Sequence, residues 1–113
     1  MSSTDFFTPV SQDPYIQGRI AIANVLSDLY AVGVCHIDSV LMILTLSTAM
    51  DAECRSIVTA EMIRGFNDGC ALAGTRCTGG QTVYNPWPLL GGTASSIVKT
   101  NSVVRPDQAR VGD

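Results

Sequence analysis

Three places in this 113-residue chain carry side chains of the types that phosphate and metal chemistry uses. In Asn24-Val25-Leu26-Ser27-Asp28, the first, fourth and fifth residues share one side of a helix, and Gln17 and Ala21 extend that stripe backwards. A solvated stripe normally carries Lys, Glu or Arg. This one carries only short polar groups, which need a fixed partner close by. A divalent cation with phosphate oxygens satisfies Asp28, and Asn24 can hydrogen-bond phosphate or water. A polar helix contact inside the protein satisfies them as well. Asp5 stands on a short strand beside Phe6 and Phe7. It reads either as a metal- or phosphate-site carboxylate or as a solvated acid near the N-terminus. In Gly79-Gly80-Gln81-Thr82 the glycines permit close backbone approach to a ligand, and the following N–H groups with the Thr hydroxyl can cradle an anion. A β-bulge or bend asks for the same glycines.

The other reactive types point to less. Arg19 serves a phosphate or a surface ion pair. Trp87, between Pro86 and Pro88, stacks on an adenine or packs along an edge strand. His36 adjoins Cys35, and strand neighbours face opposite ways, which disfavours a Cys–His dyad. Cys35, Cys54, Cys70 and Cys77 form no CxxC pair, so they read as reduced thiols of a cytoplasmic protein and not as a zinc site. No catalytic residue is assigned. The seven Lys and Arg residues are scattered and the net charge is −3, which argues against a nucleic-acid or anionic-membrane partner. The longest purely apolar run, Val40 to Leu44, falls far short of a membrane span.

The elements that must position these residues follow from pattern. Ser3 to Val10 reads as a strand that stops at Pro9. Asp13-Pro14 is a helix start, and the helix runs from Pro14 to about Val32 before Gly33. Ile16, Ile20, Ala23, Leu26 and Tyr30 form its apolar face, extended by Val25, Leu29 and Val32, which predicts burial on most sides. His36 to Leu46 reads as a strand. Asp51 or Thr48 caps a second helix over roughly Asp51 to Leu72, whose stripe of Val58, Met62, Phe66 and Cys70, with Ile63 beside it, faces the core. Thr75 to Val83 is a strand interrupted by Gly79-Gly80. Asn85-Pro86-Trp87-Pro88 is a turn, Leu89 to Val98 another strand, and Lys99 to Asp113 a tail. With 46% hydrophobic and 15% charged residues, the chain suits one α+β domain, a sheet covered on one face by two helices.

Three segments in this order add a resemblance. They are Ser3-Thr4-Asp5-Phe6-Phe7-Thr8-Pro9; Asp13-Pro14-Tyr15 continuing through Gly18-Arg19-Ile20-Ala21 and Asn24 to Gly33; and Thr78-Gly79-Gly80-Gln81-Thr82 with Asn85-Pro86-Trp87. Together they resemble the selenophosphate synthetase (selenide, water dikinase) family, within a wider PurM-like group that includes thiamine-monophosphate kinases. The resemblance implies ATP and selenide as substrates and selenophosphate, AMP and phosphate as products. It implies that Asp5 and Asp28 hold Mg2+ against the ATP phosphates and that Asn24 lines the same site. It implies that Gly79, Gly80, Gln81 and Thr82 reach ATP across a homodimer interface. The fold implied is a PurM-like N-terminal domain, a mixed sheet of about four strands whose sheets pair in a dimer. The family's Gly-rich segment, with a catalytic Cys or selenocysteine and a Lys, and its C-terminal domain are expected to lie outside residues 1–113. The chain alone is thus expected to be inactive. A thiamine-monophosphate kinase or a non-catalytic dimerisation module is the alternative reading.

Overall fold

The computed structural model describes residues 1–113. Four strands and two long helices follow one another as β1 (Ser2–Phe7), α1 (Pro14–Ala31), β2 (Ser39–Ser47), α2 (Ala52–Leu72), β3 (Cys77–Asn85) and β4 (Leu89–Ser95). Both helix starts obey their sequence signals. Asp13 accepts hydrogen bonds from the N–H groups of Tyr15 and Ile16 at 2.8 and 3.2 Å, and Asp51 accepts one from Cys54 N–H at 2.9 Å. Gly33, at φ 79°, turns the chain out of α1 as a C-terminal glycine should.

The strands lie in the order β1-β4-β2-β3. β4 runs antiparallel to both β1 and β2, and β3 runs parallel to β2, so the sheet is mixed. The two helices cover one face. Phe7, Val40, Met42, Leu44, Leu90 and Ala94 meet them there, together with Val25, Leu29, Met62 and Phe66 from the helices. The opposite face exposes Phe6, Leu41 and Val83.

The α2 stripe packs as its spacing predicts: Met62, Phe66 and Cys70 are buried, with Val58 and Ile63 beside them. The α1 face packs only in part, through Leu26 with Val25 and Leu29. Its buried residues are Gln17, Gly18, Ala21, Ile22, Val25, Leu26 and Leu29, while Ile16, Ala23 and Tyr30 are exposed. Backbone contact between the helices at Gly18 selects this face, because a small residue lets two helices approach more closely than an aliphatic one. A hydrophobicity pattern gives glycine no such weight.

Consecutive strands β3 and β4 are not neighbours. The Asn85–Pro88 turn instead wraps over the C-terminal end of β2, and buried hydroxyls hold it there. Ser47 Oγ donates to Pro86 O at 2.9 Å; Thr45 Oγ donates to Trp87 O at 3.0 Å and accepts from Leu89 N–H at 2.6 Å. Thr45→Val keeps the shape but orphans a carbonyl and an N–H. We expect a loss of about 1–3 kcal/mol, read as a lower urea midpoint.

The four cysteines are all free, and burial sorts their reactivity. Cys35 and Cys54 are exposed, whereas Cys70 lies in the core, where desolvation pushes its thiol up to about 11. Thiolate is the reactive form. Under native conditions a maleimide should therefore label Cys35 and Cys54 first. Cys70 labelling should rise with pH toward that value and become fast on unfolding in urea, as followed by peptide mass spectrometry.

Candidate functional site

The β1 strand alternates, with Ser2, Thr4 and Phe6 exposed and Ser3, Asp5 and Phe7 half-buried. Phe7 packs into the core beneath the helices, and Ser3 Oγ donates to Asp28 Oδ2 on α1 at 3.0 Å. Side chains two apart on a strand share a face. Asp5 therefore lies on the α1 side of the sheet, about 7 Å along the strand from the residue that holds Asp28.

The connection between β1 and α1 fixes the register. Gln17, fully buried, accepts hydrogen bonds through Oε1 from the N–H groups of Val10 and Ser11 at 2.8 and 3.1 Å. The start of α1 thus sits over the end of β1, and its later turns run back toward Ser3. Asn24 lies one helical turn before Asp28 on α1, about 5.4 Å along the axis, in the direction in which Asp5 lies from Ser3 on β1. Asp5 thus stands on β1 and Asn24 and Asp28 on α1, the two elements that the Ser3–Asp28 hydrogen bond joins. Gln17 is taken up by the loop it pins. Ser27 turns its hydroxyl onto its own helix, donating to Asn24 O at 2.9 Å, and so is bound locally.

Neither Asp5 nor Asp28 has a basic partner. The three ion pairs join His36 to Asp38, Arg64 to Glu61 and Arg105 to Asp107. No cluster of three or more His, Cys, Asp or Glu side chains forms. Two carboxylates with a hydroxyl and an amide nearby form an all-oxygen set suited to a hard cation such as Mg2+. They leave most of its shell to water and ligand oxygens, which is how Mg2+ is commonly bound with phosphates. The donor chemistry thus fits a cation held by Asp5 and Asp28, and a bound cation would offset the charge of phosphate oxygens. Ser3, whose hydroxyl joins the two elements, was missed as a site residue from sequence. Its signal was the two-residue spacing from Asp5 on a strand.

Gly79, Gly80, Gln81 and Thr82 lie elsewhere. They belong to β3, at the opposite edge of the sheet, three strand spacings or about 14 Å from β1. The expected interruption of the strand is absent: β3 is continuous, with a register shift opposite Val40 and Leu41. Gly80 is at φ 141°, and a Cβ there would come within 1.8 Å of Met42 O. Its glycine thus serves the close approach of β3 to β2. These four residues border an open recess of about 290 Å³ with Met42, Leu44, Ile63, Asn67 and Cys77. Within one chain they do not join the Asp5–Asp28 group.

The remaining candidates settle plainly. Arg19 reaches the Tyr15 hydroxyl at 3.5 Å, and that hydroxyl donates to Asp68 at 3.0 Å, so these residues link α1 to α2. Trp87 exposes its indole, while its carbonyl accepts from Thr45 and Asn85. His36 pairs with Asp38, and Cys35 Sγ contacts Gly33 O, which leaves no dyad between them. No helix is long and apolar enough to cross a membrane.

The chain is 53% identical to a selenide, water dikinase of Trypanosoma brucei brucei over 113 residues, 100% of this chain and 29% of that protein. It is 50% identical to selenide, water dikinase 2 of Homo sapiens, again over 100% of this chain and 25% of that protein. It spans less than a third of the length of these curated relatives. A thiamine-monophosphate kinase structure from Stenotrophomonas maltophilia superposes with a TM-score of 0.76 at 25% identity, covering 100% of this chain and 35% of that one. These findings bear out the resemblance and the α+β, mixed-sheet fold expected from it. The family model for the N-terminal domain of AIR synthase related proteins matches residues 1–98, so the chain belongs to that family.

Proposed function

We propose that this chain is the nucleotide-binding part of a selenide, water dikinase, which turns ATP, selenide and water into selenophosphate, AMP and phosphate. The observation that carries the reading is identity of 53% along the whole chain, against 25% for the thiamine-monophosphate kinase of like fold. Asp5 and Asp28 hold Mg2+ on the ATP phosphates, and Asn24 lines that site. Phosphoryl transfer rests on positioning and charge neutralisation, which carboxylate-held metal supplies. The test uses the full-length protein carrying these residues. Incubated with ATP, selenide and Mg2+, it should release AMP and selenophosphate, followed by phosphorus NMR. Phosphorylation of thiamine monophosphate without selenide-dependent AMP release would overturn the reading.

A homodimer belongs to the same proposal. Phe6, Leu41 and Val83 are exposed on the sheet face opposite the helices, and a second copy would cover them. Pairing there would let Gly79, Gly80, Gln81 and Thr82 of one copy approach the nucleotide of the other. The 113 residues alone should dimerise without turnover, since none of the four cysteines stands at the Asp5–Asp28 group. Sedimentation showing only monomer at micromolar concentration would remove the dimer. The setting proposed is cytoplasmic, in keeping with four free thiols.

A further inference from the structure

We propose that Ser3 is a positioning residue for the cation site: its hydroxyl holds the Asp28 carboxylate in place across the β1–α1 gap. The inference rests on the reading of Asp5 and Asp28 as a cation site. Ser3 is the only side chain that hydrogen-bonds Asp28, at 3.0 Å through Oδ2, and Asp28 takes part in no ion pair. Asp28 is exposed on a helix, where an untethered carboxylate samples several rotamers. Ser3 is half-buried on a strand and shares its face with Asp5. One hydrogen bond therefore ties the exposed acid to the strand that carries the other. A hydroxyl donor leaves the Asp28 charge in place, whereas an Arg or Lys tether would cancel the charge that a cation needs. Outer partners of this kind orient metal ligands, and losing one typically costs 10- to 100-fold in affinity.

The probe is Mn2+ alone, titrated into the full 113-residue chain and followed by electron paramagnetic resonance. Ser3→Ala should weaken Mn2+ binding about tenfold with no change in urea midpoint. Ser3→Thr, which keeps the hydroxyl, should restore it. In an Asp28→Ala background, which removes both the ligand oxygen and the acceptor of the Ser3 bond, Ser3→Ala should cost nothing further, because its effect passes through Asp28. An equal cost in both backgrounds would mark a merely structural role and overturn the proposal, whatever happens to stability. Wild-type affinity in Ser3→Ala with weakened binding in Asp28→Asn would overturn the role of Ser3 and leave the cation site standing. No Mn2+ binding by the wild type, or undiminished binding in Asp28→Asn, would overturn the site and this inference with it.

Discussion

Gly65→Ala is expected to destabilise the protein by about 3 kcal/mol, even though alanine is the better helix former by about 1 kcal/mol. The reason lies where α1 and α2 cross. A Cβ on Gly65 would sit 2.0 Å from Tyr15 O and 2.9 Å from Tyr15 C. The contact is reciprocal, since a Cβ on Gly18 would sit 2.2 Å from Met62 O and 2.7 Å from Phe66 N. Every one of these atoms is backbone, so no side chain can rotate away. The helices must part by about 1 Å or more to restore ordinary contact. Parting them loosens Ile22, Phe66 and Cys70, which are buried against one another across the layer. The urea midpoint should fall with the slope unchanged. Gly18→Ala should behave alike, and the double substitution should cost less than the sum, because the first methyl already opens the space the second needs. A neutral or stabilising Gly65→Ala would mean that the helices do not touch at these glycines.

The same glycines show how far the sequence reading reached. Capping and periodicity located both helices, because Asp13, Pro14, Asp51 and the Met62-Phe66-Cys70 stripe act within one or two turns of chain. They placed Val25, Leu26 and Leu29 inside but missed that the buried side of α1 continues through Gln17 and Gly18 instead of Ile16 and Tyr30, since Gly18 acts through what it allows another helix to do. Strand order lay outside their reach, because the turn that carries the chain from β3 to β4 is held by tertiary contacts of Thr45 and Ser47 that no local pattern encodes. The candidate site divided on the same line. Asn24 and Asp28 were legible as short polar groups where a solvated stripe carries long charged ones, and Asp5 as a carboxylate beside two phenylalanines; β1 and α1, which carry them, are neighbours joined by the Ser3–Asp28 hydrogen bond. Gly80 was legible only as ambiguous, and its tight approach to Met42 assigns it a structural task in this chain. Ser3 escaped notice because a serine on a strand is unremarkable until its partner is known.

Asp28→Asn should separate function from folding. Asp28 is exposed and makes one hydrogen bond, accepted from Ser3, which the amide oxygen of Asn can also accept. Stability should therefore change by no more than about 0.5 kcal/mol, as for ordinary surface substitutions. Cation binding should change far more. With no basic residue paired to either acid, Asp5 and Asp28 together supply the negative charge of the group. Asn removes one of two charges and substitutes a weaker neutral oxygen donor. A loss of at least about tenfold in affinity for Mn2+ corresponds to about 1.4 kcal/mol, a modest demand for one carboxylate in direct contact with a divalent ion. Asp5→Asn should weaken binding to a similar degree, and the two changes together should reduce it to the level of nonspecific surface binding. The effects should fade in high salt far less than those of remote surface charges, because direct ligation is barely screened. The decisive comparison sets Asp28→Asn beside Asp107→Asn, which removes another exposed acid from the tail, where Arg105 pairs it. Equal losses from both would reduce the effect to net charge, and the two acids would then have no shared cation to hold.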